Sequence, residues 1–345
     1  MSSEALTSPS ADANGPPLVE VQDLTRIFEL GGRRSKRLVH AVDGVSLDLE
    51  HGQTLGLVGE SGSGKSTLAR LILRLDRPTS GRVLFDGIDL STLSKRELRR
   101  LRREMQIVFQ DPYASLNRRK TVEEIISLPL IVHQKSLSRS ARKQRVAELL
   151  GLVGLRPEHA RAYPRQLSGG QCQRVSIARA LSMNPKLVVL DEAVSAVDVS
   201  IQAQILNLLR EIQQRLSLTY LFVTHDLAVV RYMATSVAVM YLGRVVEVGP
   251  RDVLFQAPRH PYTHALLSSI PPSPGVEPPP TVVLREAAAM DTLPSGCRFH
   301  PRCPLGGREV CQTVDPPLQR VALEHAVACH FPQSAESLLS EAARA

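Results

Sequence analysis

Tryptophan is absent from this 345-residue chain and aromatic residues make up only 4% of it, which leaves few flat surfaces for stacking nucleic-acid bases. No stretch approaches the roughly eighteen consecutive apolar residues that a membrane-crossing helix needs. Cysteine is scarce until late: Cys172 stands alone in the main body, and Cys297, Cys303, Cys311 and Cys329 follow far downstream. A disulfide framework is therefore not expected to hold the body together. Lysine is rare as well, seven against thirty-five arginines, so each lysine in a motif carries information. The first seventeen residues have neither a basic start nor an apolar block and read as a disordered tail, not a signal peptide.

What is present centres on Gly59-Glu60-Ser61-Gly62-Ser63-Gly64-Lys65-Ser66. Thr54 to Val58 before it reads as a short buried strand, and Thr67 to Leu73 after it as a helix. Strand, glycine loop and helix in this order let successive backbone N–H groups turn toward an anion, with the positive end of the helix dipole at the same place. Lys65 is then expected to reach the β- and γ-phosphates of a nucleotide, and the Ser66 hydroxyl to take one Mg²⁺ position.

Three further segments point to the same chemistry. Lys186 to Leu190 is an unbroken apolar run, as suits a strand buried on both faces, and it ends in Asp191-Glu192. Asp191 suits the surroundings of Mg²⁺, and Glu192 is placed to act as general base on an attacking water. Thr219 to Thr224 is a second apolar strand that delivers His225 to the same edge. Leu167-Ser168-Gly169-Gly170-Gln171 reads as a capped helix start: Ser168 is a good N-cap, the glycines admit close approach, and Gln171 to Met183 continues as an amphipathic helix.

Together these motifs, in this order, resemble the nucleotide-binding subunit of an ATP-binding cassette (ABC) transporter over residues from about 18 to 250. The resemblance implies an α/β fold: a P-loop NTPase (RecA-like) core with an antiparallel β subdomain, an α-helical subdomain inserted over about 96–183, and a small cysteine-containing C-terminal extension from about 256. It places Phe28 against adenine and makes Gly59, Ser61, Gly62, Ser63, Gly64, Lys65, Ser66 and Thr67 the phosphate loop. The resemblance also makes Gln110 the glutamine that senses Mg²⁺ and nucleotide and faces the membrane partner. By the same resemblance Ser168, Gly169, Gly170 and Gln171 form the signature turn, and Asp198 makes a dimer contact. Asp191, Glu192 and His225 serve magnesium, catalysis and the γ-phosphate. One compact chain does not readily present both anion sites to one nucleotide, so ATP is expected between two chains. Ala193 and Val197 stand where the family usually has proline and leucine, and Cys172 is uncommon in the signature helix; all three read as packing changes.

A net charge of +8 invites a nucleic-acid reading, strongest at Lys95 to Arg103. Leu98 and Leu101 give that stretch a helical spacing with an apolar edge, so its arginines read as a solvated face suited to anionic lipid headgroups. Arg33 to Arg37 reads as a solvated hairpin tip.

Prolines at 271, 272, 274 and 278–280 mark a stiff linker, and four cysteines follow with five, seven and seventeen residues between them. Four thiols on an intracellular chain point to metal more than to disulfides, while the spacing chooses no metal. His260 to Leu266 and Gly296 to Pro304 resemble the C-terminal extension of the oligopeptide and dipeptide importer branch, which implies a 4Fe-4S cluster on Cys297, Cys303, Cys311 and Cys329, with zinc or unliganded thiols as alternatives. The branch also implies a second, unlike ATPase chain, two membrane permease subunits, an extracytoplasmic binding protein, and a place on the cytoplasmic side of the membrane. Import of nickel, a glycopeptide or another solute is the alternative cargo. A soluble cassette acting on nucleic acid or ribosomes is the rival class, and the chain lacks the second cassette or long insertion such proteins carry.

Overall fold

The computed structural model describes residues 15–31, 37–195, 197–269, 284 and 293–332. Most of the expected N-terminal tail, Arg33 to Lys36 of the basic tip, Ala196, the proline segment 271–280 and residues 333–345 lie outside the described residues.

The chain starts with a hairpin, β1 (Val19–Leu30) and β2 (Arg37–Leu49), in which Val19, Val21, Leu24, Val45, Leu47 and Leu49 are buried. Next come β3 (Thr54–Val58), every residue of it buried, and α1 (Lys65–Ile72). The strands β4 (Ser80–Phe85) and β5 (Ile88–Asp89) complete a four-stranded antiparallel sheet in the order β2-β1-β4-β5. A reciprocal Ser94–Glu97 cap starts the surface helix α2 (Lys95–Leu101), whose arginines are mostly exposed while Leu98 and Leu101 are half-buried.

A strand, β6 (Met105–Val108), interrupts the stretch expected to be helical from 96 to 183. It has only four residues between an arginine-rich helix and the turn at Pro112, too short for a strand period to show. The helical part begins after it, with α3 (Pro112–Ser115), α4 (Val122–His133), α5 (Arg139–Leu152) and α6 (Gly169–Leu181). Ile125, Ile126, Val146, Leu149, Val175 and Ile177 share one apolar cluster there, and Cys172 is fully buried within it. Each such buried aliphatic side chain contributes about 1.5–3 kcal/mol.

The chain then returns to the main sheet through β7 (Leu187–Asp191), α7 (Val199–Leu216), β8 (Thr219–Val223), α8 (Leu227–Met233), β9 (Ser236–Tyr241) and β10 (Arg244–Pro250). It continues with α9 (Arg251–Gln256), α10 (Pro261–Ser268), α11 (Glu309–Thr313), β11 (Gln319–Ala322) and β12 (His325–Val327). The sheet order is β11-β12-β10-β9-β3-β8-β7-β6, with β9 to β6 parallel and the β10 edge antiparallel. The carboxyl ends of β3, β8, β7 and β6 therefore lie along one edge, and β8 separates β3 from β7. No helix among the described residues is long and apolar enough to cross a membrane.

Residues past 255, expected as a small extension, add two strands to the core sheet. The join is polar and buried. Glu247 on β10 is fully buried, and its carboxylate accepts from the N–H groups of Arg259 (2.7 Å) and His260 (3.0 Å) and bonds Nε2 of His325 at 2.8 Å. Burial pushes this carboxyl up, but the bonds from His325 and the Arg259 N–H outweigh it and hold the group below the ordinary range. His260 caps α10 by accepting from the Tyr262 N–H at 3.0 Å, and burial pushes its pKa down to about 4.

His260 is thus neutral when folded, whereas an unfolded histidine charges near pH 6.5. Because the unfolded chain binds the extra proton, stability is full above that value and falls as pH drops toward 4, by up to about 3 kcal/mol. His260→Asn keeps a cap acceptor and removes the titration. Calorimetric unfolding midpoints between pH 6.5 and 4 are expected to fall less steeply in this variant than in the parent; equal slopes would refute the assignment.

Candidate nucleotide site

The loop after β3 is shaped by contact as much as by flexibility. A Cβ at Gly59 (φ 148°) would lie 2.1 Å from the Met240 carbonyl oxygen, and one at Gly64 (φ 104°) 2.0 Å from that of Ala41. The loop is therefore pressed between β9 and β2, and the Gly243 N–H donates to the Ser63 carbonyl at 2.9 Å. Gly64 is the N-cap of α1 and offers no side chain to its first turn, which also lacks an acidic residue. The helix start is left open to an anion.

Lys65 is only 5% exposed, yet it points back into the loop: Nζ donates to the Gly59 and Glu60 carbonyls, both at 2.8 Å, and to Ser63 Oγ at 3.4 Å. Burial pushes its pKa down, opposed by the charges of Glu192, Asp191 and Glu60. Ser66 Oγ donates to Asp191 Oδ1 at 2.8 Å, joining the start of α1 to the end of β7. Burial pushes the Asp191 carboxyl up against that hydrogen bond. Ser61 and Gly62 are exposed and Ser63 is buried, while Thr67 is half-buried on α1.

Glu192 follows with left-handed backbone (φ 48°), and its N–H donates to the Val223 carbonyl at 2.9 Å. That bend turns the carboxylate out of the sheet. One oxygen accepts from Gln110 Nε2 at 2.7 Å; the other lies 3.3 Å from His225 Nδ1. Gln110, Glu192 and His225 follow the neighbouring strands β6, β7 and β8, so strand order brings together three residues that are far apart in sequence. The carboxylate side chain is 20% exposed, open enough for a water to reach it.

Other expected site residues lie elsewhere. Phe28 is half-buried on β1, with the Arg26 guanidinium 4.4 Å from its ring centre. Asp198 is the exposed N-cap of α7. Ser168 caps α6 in a reciprocal box, accepting from the Gln171 N–H at 3.3 Å while its own N–H donates to Gln171 Oε1 at 3.0 Å. Gly169 is half-buried near Tyr113 and Val197, and a Cβ at Gly170 would lie 2.5 Å from Ile201 Cγ2. Among the described residues no hydrogen bond joins the 168–171 turn to the phosphate loop.

No disulfide involves any of the four late cysteines among the described residues, and the Cys297 N–H donates to the Cys311 carbonyl at 2.9 Å. Burial first, and then the charges of Cys303, Cys297 and Cys311, push the Cys329 thiol up to about 12. Among the described residues no group of three or more His, Cys, Asp or Glu side chains is arranged to hold a metal ion. The expectation of a ready cluster site is therefore not supported.

The sequence profile described as "ABC transporter" matches residues 42–195, and that described as "Oligopeptide/dipeptide transporter, C-terminal region" matches 246–311. A probable peptide ABC transporter ATP-binding protein of Sinorhizobium fredii, y4tS, is 50% identical over 91% of this chain and 89% of its own length. The chain belongs to the ABC transporter family. The oligopeptide transport ATP-binding protein AppF of Bacillus subtilis is 47% identical over 92% of this chain and 98% of its own. Among solved structures, the dimeric post-hydrolysis ATP-binding cassette MJ0796 with ADP and Pi is similar with a TM-score of 0.61 and 33% identity, over 68% of this chain and 98% of that one.

In this ABC ATPase the sequence motifs omit one part of the loop's surroundings. The Glu60 N–H donates to the Tyr262 hydroxyl at 2.9 Å, and Arg302 Nη1 donates to both Glu60 carboxylate oxygens at 3.0 and 2.9 Å. Both partners lie more than two hundred residues downstream, and only the fold brings them to the loop. Tyr262 and Arg302 both fall within the second matched region.

Proposed function

We propose that this chain is the ATP-hydrolysing subunit of a peptide importer, and that the convergence of Gln110, Glu192 and His225 beside the Ser66–Asp191 bond carries its chemistry. In this reading Lys65 and the loop N–H groups grip the β- and γ-phosphates, with Ser61, Ser63 and Thr67 lining them. Ser66, Asp191 and Gln110 would hold Mg²⁺, which when bound screens the phosphate charge. Glu192 takes a proton from water as the water oxygen bonds the γ-phosphorus and the bond to ADP breaks. Gln110 and His225 hold that carboxylate in place, and His225 is on hand for the γ-phosphate. Adenine stacks at Phe28, on whose ring the Arg26 guanidinium already lies.

The signature turn, Ser168, Gly169, Gly170 and Gln171, and the exposed Asp198 act on the nucleotide of a second ATPase chain, for which a paralogue is the proposed partner. Their separation from the loop supports this, as does the dimeric state of the similar cassette MJ0796. The pair would dock on two permease subunits at the cytoplasmic face of the membrane, served by an extracytoplasmic peptide-binding protein. The names of the relatives and the second profile support peptide as cargo. For the cysteines we propose a 4Fe-4S cluster on Cys297, Cys303, Cys311 and Cys329, with zinc as the alternative; four buried or half-buried cysteines without a disulfide support it, and the cluster would have to draw them into a ligand set that the described residues do not pre-form.

Glu192→Gln in the assembled transporter is expected to keep ATP affinity within about threefold while steady-state turnover falls about 10²–10⁴-fold. Turnover equal to the parent's would remove the assigned role. Protein purified without oxygen is expected to be brown and to contain about four iron atoms per chain, as a 4Fe-4S site requires. A colourless protein holding one zinc would replace the cluster with a zinc site, and a metal-free protein would remove both.

A further inference from the structure

Glu60 places a carboxylate inside a loop built for anions. Left uncompensated, that charge opposes an incoming triphosphate. The structure supplies compensation from the far end of the chain: Arg302 Nη1 spans both carboxylate oxygens at 3.0 and 2.9 Å. Arg302 is held in a tight turn, in which its N–H and that of Cys303 both donate to the Phe299 carbonyl at 3.0 Å. Its side chain is 19% exposed against 45% for Glu60, so the guanidinium end of the pair is the better shielded from solvent.

The backbone of Glu60 is fixed as well. Its N–H donates to the hydroxyl of Tyr262, a fully buried ring packed against Tyr241 (4.7 Å between centroids) and Phe299 (5.4 Å). Its carbonyl accepts from Lys65 Nζ at 2.8 Å. The residue that helps hold the phosphate-gripping lysine is thus anchored by two residues outside the cassette motifs.

We propose that Arg302 and Tyr262 are positioning residues of the nucleotide site, acting through Glu60: Arg302 neutralises the carboxylate, and Tyr262 sets the carbonyl that orients Lys65. Neither touches nucleotide. The inference rests on the reading of the loop as the ATP site. The aromatic cluster and the cysteine turn thereby become part of the nucleotide-binding apparatus.

The test is MgATP affinity of the full chain, measured by calorimetric titration, alongside the melting temperature. Arg302→Ala is expected to weaken binding about tenfold, the scale of one uncompensated charge near phosphate, and Arg302→Lys to restore most of it. Glu60→Gln is expected to bind at least as tightly as the parent, and adding it to Arg302→Ala to bring affinity back within about threefold. A merely structural Arg302 would lower the melting temperature and leave the affinity of the folded fraction unchanged, which overturns the proposal. So does failure of Glu60→Gln to rescue. Tyr262→Phe, which keeps the ring, is expected to weaken binding about threefold; should Arg302→Ala not fold, an unchanged affinity here overturns the proposal. Lys65→Ala separates the two levels: undiminished ATP binding in it refutes the loop assignment itself, whatever the Arg302 series shows.

Discussion

A buried ammonium that forms no ion pair within 4 Å among the described residues is the constraint on which the rest of this structure depends. Lys65 is held by two backbone carbonyls and a hydroxyl, dipoles that orient a cation without cancelling its charge. Burying such a group costs free energy, and the downward push on its pKa expresses that cost. The arrangement becomes favourable when an anion enters beside it. The close approach of Gly59 and Gly64 to neighbouring strands, the uncapped start of α1 and the Ser66–Asp191 bond all shape the space for that anion.

The same physics bears on the proposal that ATP lies between two chains. Parallel strands put the loop, Asp191, Glu192 and His225 on one edge, as the proposed gripping and attack require. The capped turn at Ser168 heads a different helix, and its capping box leaves the remaining N–H groups of that turn for something else. A turn so finished, yet joined among the described residues by no hydrogen bond to the loop of its own chain, is what the proposed shared pocket calls for.

Motifs made of consecutive residues were legible because loop, strand and cap chemistry are local. Gly59 to Ser66, the run ending at Asp191 and the Ser168 cap all formed the elements expected of them. β6 was hidden because four residues are too few to show a period, and β11 because all of its residues are exposed and no alternation marks it. The buried Glu247–His325 pair and the clamp on Glu60 join residues far apart in the chain, where no spacing rule applies. Cysteine arithmetic gave the number of thiols but not their arrangement, because thiol-to-thiol geometry depends on how the Cys297 turn and β12 pack, which no count records.

The shared pocket is the central claim, and the turn that contributes to the other chain tests it most directly. Ser168→Arg fills the helix start with a cation side chain and leaves Lys65 and Glu192 untouched. ATP affinity of the isolated chain should stay within about twofold, while ATP turnover of the assembled transporter should fall by about 10² or more. Undiminished turnover with that turn blocked in both cassettes would contradict the account.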